Sequence, residues 1–88
     1  MSEEFKVRFT TLAEGEVLDL KAHLVTLPSV VGEVGILAEH CPYIFKLASG
    51  TVKVFGAHKS LKKQVEIEGG IARFDDNTLS IISDEMQI

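Results

Sequence analysis

The side chains best suited to metal or nucleophilic chemistry are three histidines, His23, His40 and His58, and the single cysteine, Cys41. His40 and Cys41 are adjacent and run into Pro42. Together with one distant histidine they would form a three-ligand zinc set. No two of these residues stand at the short spacing of a ligand pair, however. Neighbours on a strand point to opposite faces, so His40 and Cys41 would share a metal only from a turn. The same adjacency is poor geometry for a histidine taking the proton of a thiol, and a cysteine nucleophile also needs an electropositive setting. Free cysteine is among the most buried residue types. A structural role for the His40–Cys41 corner therefore outweighs a chemical one. A stand-alone metal- or small-ligand-binding β-sandwich using that corner is the alternative.

Carboxylates occur in two near pairs. Glu66 and Glu68 share the polar parity of a strand pattern, and Asp75–Asp76 sit in a turn pattern. Acid–base catalysis by paired carboxylates needs a cleft that holds them apart, and nothing in the sequence implies one. Gly69–Gly70 lies between two strand patterns, whereas a phosphate cradle needs more glycines and a helix behind them. The pair reads as a tight reversal, a bulge, or a point where another backbone approaches closely. No catalytic residue, cofactor or metal is expected. In the connection from Pro28 to Gly35, Val30 and Val31 are apolar where polar residues are usual, and Glu33 follows Gly32. Two readings stand level: the valines fold back over an open end of the domain, or they belong to a contact patch.

The elements that must position these residues are strands. Phe5, Val7 and Phe9 alternate with Lys6, Arg8 and Thr10, and Leu18, Leu20, Ala22 and Leu24 alternate with Asp19, Lys21 and His23. Val52/Val54, Val65/Ile67 and Leu79/Ile81 repeat the period of two, which marks strands with one dry and one wet face. The pattern predicts strands over 4–11, 16–27 in two segments, 34–37, 43–48, 51–56, 60–68, 71–75 and 78–83. Parity slips at Leu24-Val25-Thr26-Leu27, which implies a bulge or a strand covered on both sides. Turn signals punctuate the chain at 13–16, 27–29, 48–50, 56–58, 69–70 and 75–77, and many short strands between such turns indicate a β-sandwich or barrel. The tail after Ser83 is expected to fray or to begin one helical turn.

With 88 residues the chain is expected to form one domain over 1–88, its core at about 4–83. The net charge of −4 argues against nucleic acid as a partner, since phosphate binding needs a basic face. The cluster from His58 to Lys63 reads as a solvated hairpin tip. One cysteine excludes an internal disulfide, the acidic start is no signal peptide, and no apolar run approaches the ~20 residues of a membrane span. A soluble, cytosolic protein is expected.

Several ordered pieces of the chain resemble the N-terminal domain of the epsilon subunit of F-type ATP synthases (delta in mitochondrial naming). Phe5 to Leu12 is similar to the family's opening strand. Gly32-Glu33-Val34-Gly35-Ile36-Leu37 and His40-Cys41-Pro42 resemble its GE-x-GIL…H-x-P signature. Leu47 to Val54 resembles its L-x-x-G-x-V/I-x-V hairpin, and Glu68 to Phe74 followed by Asn77 to Ile82 resembles its closing strands. The resemblance runs from about Phe5 to Ile82. It implies a ten-stranded antiparallel β-sandwich, here without the C-terminal helical hairpin that many members carry. It also implies a non-catalytic rotor subunit at the cytoplasmic face of the energy-transducing membrane, bound to gamma and to the polar loops of the c-ring and not inserted in the bilayer. Carried over by motif, Val31, Gly32, Glu33 and Val34 would face the ring. His40, Pro42 and Tyr43 would border gamma, with Thr10 and Thr11 as further gamma candidates. Departures from the family pattern are Ala38-Glu39 before the histidine, Cys41 in place of a common alanine and Tyr43 in place of a common leucine.

Overall fold

A computed structural model of the chain describes residues 4–38 and 42–88. Its elements are β1 (Phe5–Thr11), β2 (Gly15–Ala22), β3 (Leu24–Ser29), β4 (Gly32–Leu37), β5 (Tyr43–Phe55), a single 3-10 turn (Ala57–Lys59), β6 (Leu61–Asp75), β7 (Thr78–Ser83) and β8 (Met86–Gln87). They form one open sheet in the order β2-β1-β7-β6-β5-β3-β4, with β8 added to β6.

The two longest strands turn this sheet into a sandwich. The first half of β5, residues 43–47, pairs with residues 70–74 of β6, whose end runs beside β7. The second half of β5 pairs with the first half of β6 and with β3, and β8 lies along Glu66–Ile67. Each long strand thus serves both layers. One layer is β2-β1-β7 with the end of β6 and the start of β5; the other is β4-β3 with the remaining halves and β8. The described residues form eight strands rather than the ten expected; counting the halves of β5 and β6 separately gives five segments in each layer.

The core is what the alternation requires. Phe5, Val7, Phe9, Ala72, Phe74, Leu79 and Ile81 of the first layer meet Val25, Leu27, Ile36, Val52, Val54, Val65 and Ile67 of the second, each at most 2% exposed. Phe5 and Phe74 touch edge to face, with ring centroids 5.6 Å apart. Full burial of side chains this large is worth about 1.5–3 kcal/mol each.

Three expectations need correction. The breaks read at 48–50 and 69–70 are not turns: β5 and β6 run straight through them, still paired. What changes there is parity. Leu47 and Val52 are both buried on β5, and so are Ile67 and Ala72 on β6, although each pair differs in parity. Leu47 pairs with Gly70 and Gly50 with Ile67, so both strands roll over at one level. Gly70 permits this with φ 127°, and a Cβ there would lie 2.1 Å from the Ile82 carbonyl oxygen. Second, the tail forms β8 rather than fraying or turning helical, because Met86 finds apolar cover against the core. Third, the sheet is antiparallel except for one ladder, in which β1 runs parallel to β7. A two-residue turn at Asp76–Asn77, both left-handed (φ 52° and 54°), reverses β7 against β6, and β1 adds on the far side.

The slip at Leu24–Leu27 has a physical cause. β2 ends at Ala22 and the chain crosses to the other layer at His23, whose N–H donates to the Phe55 carbonyl. The β3–β5 register also shifts between Thr26 and Ser29.

Candidate partner-contact surfaces

The ring-facing candidates share one hairpin. Ser29 pairs with Gly32, so Val30 and Val31 form the tip between β3 and β4. Gly32 takes φ 125°, the only left-handed position of the connection. Val31 and Glu33 are exposed and Val34 is half-buried against the core. Both valines stand in solvent, Val30 at 58% and Val31 at 88% exposure, so they do not fold back over the domain. Glu33 lies opposite Pro28 and has no ion pair among the described residues.

The gamma candidates separate. Thr10 stands on the outer face of the first layer, beside Ile82 of β7. Ile82 pairs with Ile71, and Ile71 with Lys46. Side chains opposed across a ladder share a face, so Thr10, Ile82, Ile71 and Lys46 form one row. Leu12, Ile71 and Ile82 also line a shallow groove of about 290 Å³. Thr11 is buried, and its hydroxyl accepts the Glu14 N–H at 3.0 Å, so it closes the β1–β2 turn and has little surface to offer. Pro42 and Tyr43 lie three strands from Thr10 and border another groove, of about 480 Å³, with Ile44 and Asp75. Tyr43 packs edge to face on Phe45. His40 and Cys41 fall outside the described residues, and with them the corner on which the metal alternative rests.

The remaining chemical candidates do not converge. His23 is half-buried between β2 and β3, and His58 sits exposed at φ 59° in the 3-10 turn. Glu66 accepts the Thr51 hydroxyl, and Asp75 holds Arg73 at 3.1 Å. Among the described residues no three His, Cys, Asp or Glu side chains gather as a metal site. Among the described residues no helix is long and apolar enough to cross a membrane.

Reading by parity missed the apolar residues on the outer faces. Ile71 and Ile82 are half-exposed, and Leu12 more so. A second row, Leu37–Leu24–Phe55–Leu61, crosses four strands of the other layer. The signal available was Ile81-Ile82: of two consecutive isoleucines on a strand, one must face outward.

The profile of the ATP synthase Delta/Epsilon chain beta-sandwich domain matches residues 4–87. The ATP synthase epsilon chain of Pelagibacter ubique is 34% identical over 83 residues, 94% of this chain and 62% of that one. The epsilon chain of Ligilactobacillus salivarius is 33% identical over 70 residues, 80% of this chain and 50% of its own length. The chain thus spans about half to three-fifths of the curated relatives it matches. A chain of the Euglena gracilis mitochondrial ATP synthase (OSCP, F1 and c-ring) superposes with a TM-score of 0.80 at 26% identity, over 92% of this chain and 51% of that one. A chain of the Tetrahymena thermophila mitochondrial ATP synthase central stalk and c-ring superposes at 0.75, over 98% and 67%; at 18% identity that is a likeness of fold. A two-layered sheet with a bent central ribbon, matched by that profile over nearly its whole length, makes this chain a member of the β-sandwich domain family of ATP synthase delta and epsilon chains.

Proposed function

We propose that the protein is a non-catalytic central-stalk subunit of a rotary ATP synthase. It joins gamma to the polar loops of the c-ring, so that rotation of the ring is coupled to ATP synthesis. The complex would hold it at the cytoplasmic face of the energy-transducing membrane without inserting it.

The observation that carries this reading is the row Thr10–Ile82–Ile71–Lys46. Its last residue accepts the N–H of Val30, at the base of the β3–β4 tip, at 3.1 Å. An exposed apolar strip and an exposed hairpin tip are therefore contiguous. Contact with gamma through the strip and with the ring through the tip clamps both partners to one body. A sandwich whose ladders and close-packed core move together resists shear between them. The requirement is stiffness and two interfaces, and a reactive group would add nothing to it. Pro42 and Tyr43, which border a separate groove at the start of β5, would make a second contact with gamma.

The test is association with purified gamma. Ile71→Ser with Ile82→Ser removes exposed apolar area, so the fold should hold within about 0.5 kcal/mol per site. Affinity for gamma should fall at least tenfold, as for apolar anchors at an interface centre. Leu24→Ser with Leu37→Ser, on the other outer face, serves as the control. Wild-type gamma affinity in the Ile71/Ile82 variant would refute the assignment of this face.

A further inference from the structure

Each layer carries an apolar patch on its outer face, and the charged borders of the two patches are of opposite sign. On the first layer Leu12, Ile71 and Ile82 share their groove with Glu68 and Asp84, both exposed. Neither carboxylate has an ion pair among the described residues. Lys46 lies opposite Ile71 but does not line the groove. On the second layer the row Leu37–Leu24–Phe55–Leu61 has lysines on both sides. The next row along the strands is Gly35–Thr26–Lys53–Gln64. On the other side, exposed Lys59 stands in the turn between Phe55 and Leu61, and Lys62 follows Leu61. Lys62 is held in place. Its stem lies over Gly56, where an added Cβ would stand 3.0 Å from Lys62 Cδ, and its ammonium donates to the Lys21 carbonyl at 2.6 Å. That bond leaves two of the three ammonium donors. None of these lysines has an ion pair among the described residues, and neither row holds a carboxylate.

We infer that the occupant of each patch is a second copy of this chain: the acid-bordered groove of one copy takes the lysine-bordered row of the next. Exposed apolar patches mark contact sites, and here both halves of a contact belong to one chain. Apolar burial drives the association, and the borders decide which patch meets which. Groove on groove would set carboxylate against carboxylate, and row on row would set lysine against lysine, so like-on-like pairing is opposed. The patches lie on the outer faces of different layers. A pair of copies therefore leaves one groove and one row free, and the contact is heterologous and propagates. Each patch is small, and interfaces below about 1,200 Å² in total belong to the weak class. Stacking is thus a property of concentrated chain. In the stalk reading gamma takes the groove, so stacking belongs to copies without gamma. The inference itself uses only surfaces of this chain and does not rest on that reading.

The experiment is sedimentation equilibrium of the full chain at concentrations up to about 1 mM. The weight-average mass should rise with concentration and pass that of a dimer. Ile71→Ser with Ile82→Ser disables the groove, and Leu37→Ser with Leu61→Ser disables the row. All four residues are exposed, so both variants should keep the wild-type melting temperature. Each variant alone should stay monomeric. Mixed in equal amounts, they should form a one-to-one dimer and nothing larger, because one intact groove meets one intact row. Glu68→Lys with Asp84→Lys should weaken wild-type association about tenfold. A wild-type chain that stays monomeric throughout would overturn the inference. So would a variant that still dimerises alone, which would mean a like-on-like contact, or a mixture of two folded variants that does not associate. Unchanged association in the Glu68/Asp84 variant would overturn the pairing of acidic with basic border. Binding to gamma is measured separately, so any of these failures leaves the stalk reading standing.

Discussion

Gly70 is where one added carbon has most to displace. Its φ of 127° lies outside the range of L side chains, and a Cβ would sit 2.1 Å from the Ile82 carbonyl oxygen and 3.0 Å from Ser83 Cα. Those are backbone atoms of β7, held by the ladder to β6, so no side chain can swing aside. Gly15, with φ 77° and nothing within 4 Å of its Cβ position, isolates the conformational part. Gly70→Ala should cost about 2–4 kcal/mol in urea unfolding, against about 1–2 kcal/mol for Gly15→Ala. Equal costs would mean that the approach of β7 contributes nothing. Close backbone approach was one of three readings of the glycine pair in the sequence, beside a tight reversal and a bulge, and alternation alone does not choose among them. Thr10 and Thr11 were not separable there. Both end a strand and both are small and polar. Only the β1–β2 turn, which places the Glu14 N–H over the Thr11 hydroxyl, gives one of them an internal duty.

At the scale of elements, the bend of the β5–β6 ribbon decides the architecture. It is wedged from outside by β3: a Cβ on Gly50 would meet Pro28 Cβ at 2.9 Å and Cγ at 3.2 Å. Gly50→Ala should therefore lose about 1–3 kcal/mol, as overpacking does. Pro28→Gly removes the opposing atoms, so in a double-mutant cycle Gly50→Ala should cost at least 0.5 kcal/mol less, as contacting residues couple. Strict additivity would mean that β3 does not set the bend. Strand positions were readable because period two survives wherever one face is dry, as in Phe5-Val7-Phe9. The continuity of β5 and β6 was not. A parity change without chain reversal leaves the same trace as a turn, Ser49-Gly50 or Gly69-Gly70 between two alternating runs. The parallel ladder of β1 with β7 left no trace either. It joins residues about seventy positions apart, and alternation carries no information on which strand lies beside which.

At the scale of the molecule, the two proposed interfaces differ in physical character, and salt should separate them. The strip of Leu12, Ile71 and Ile82 is apolar, and burial of apolar area is insensitive to screening. The Glu33 contact is an exposed charge interaction. The Debye length falls from about 10 Å at about 0.1 M salt to about 3 Å at about 1 M, so that contact should fade over this range. The chain alone should melt lower than its complex with gamma, because a partner that binds only the folded form adds RT ln(1 + [L]/Kd) to stability. Calorimetry across the salt series should then find the gamma-dependent rise in melting temperature preserved. Sedimentation of the same complex with solubilised ring should show the ring released as salt rises, and released further when Val30 and Val31 are polar. Loss of gamma and ring together would mean one charged interface rather than two of different kind. Retention of the ring at high salt would leave the Glu33 carboxylate with no share in holding it. A stalk assembled in this way needs an apolar grip on gamma that salt does not loosen, and a ring contact whose orientation is fixed by a charge beside the β3–β4 tip.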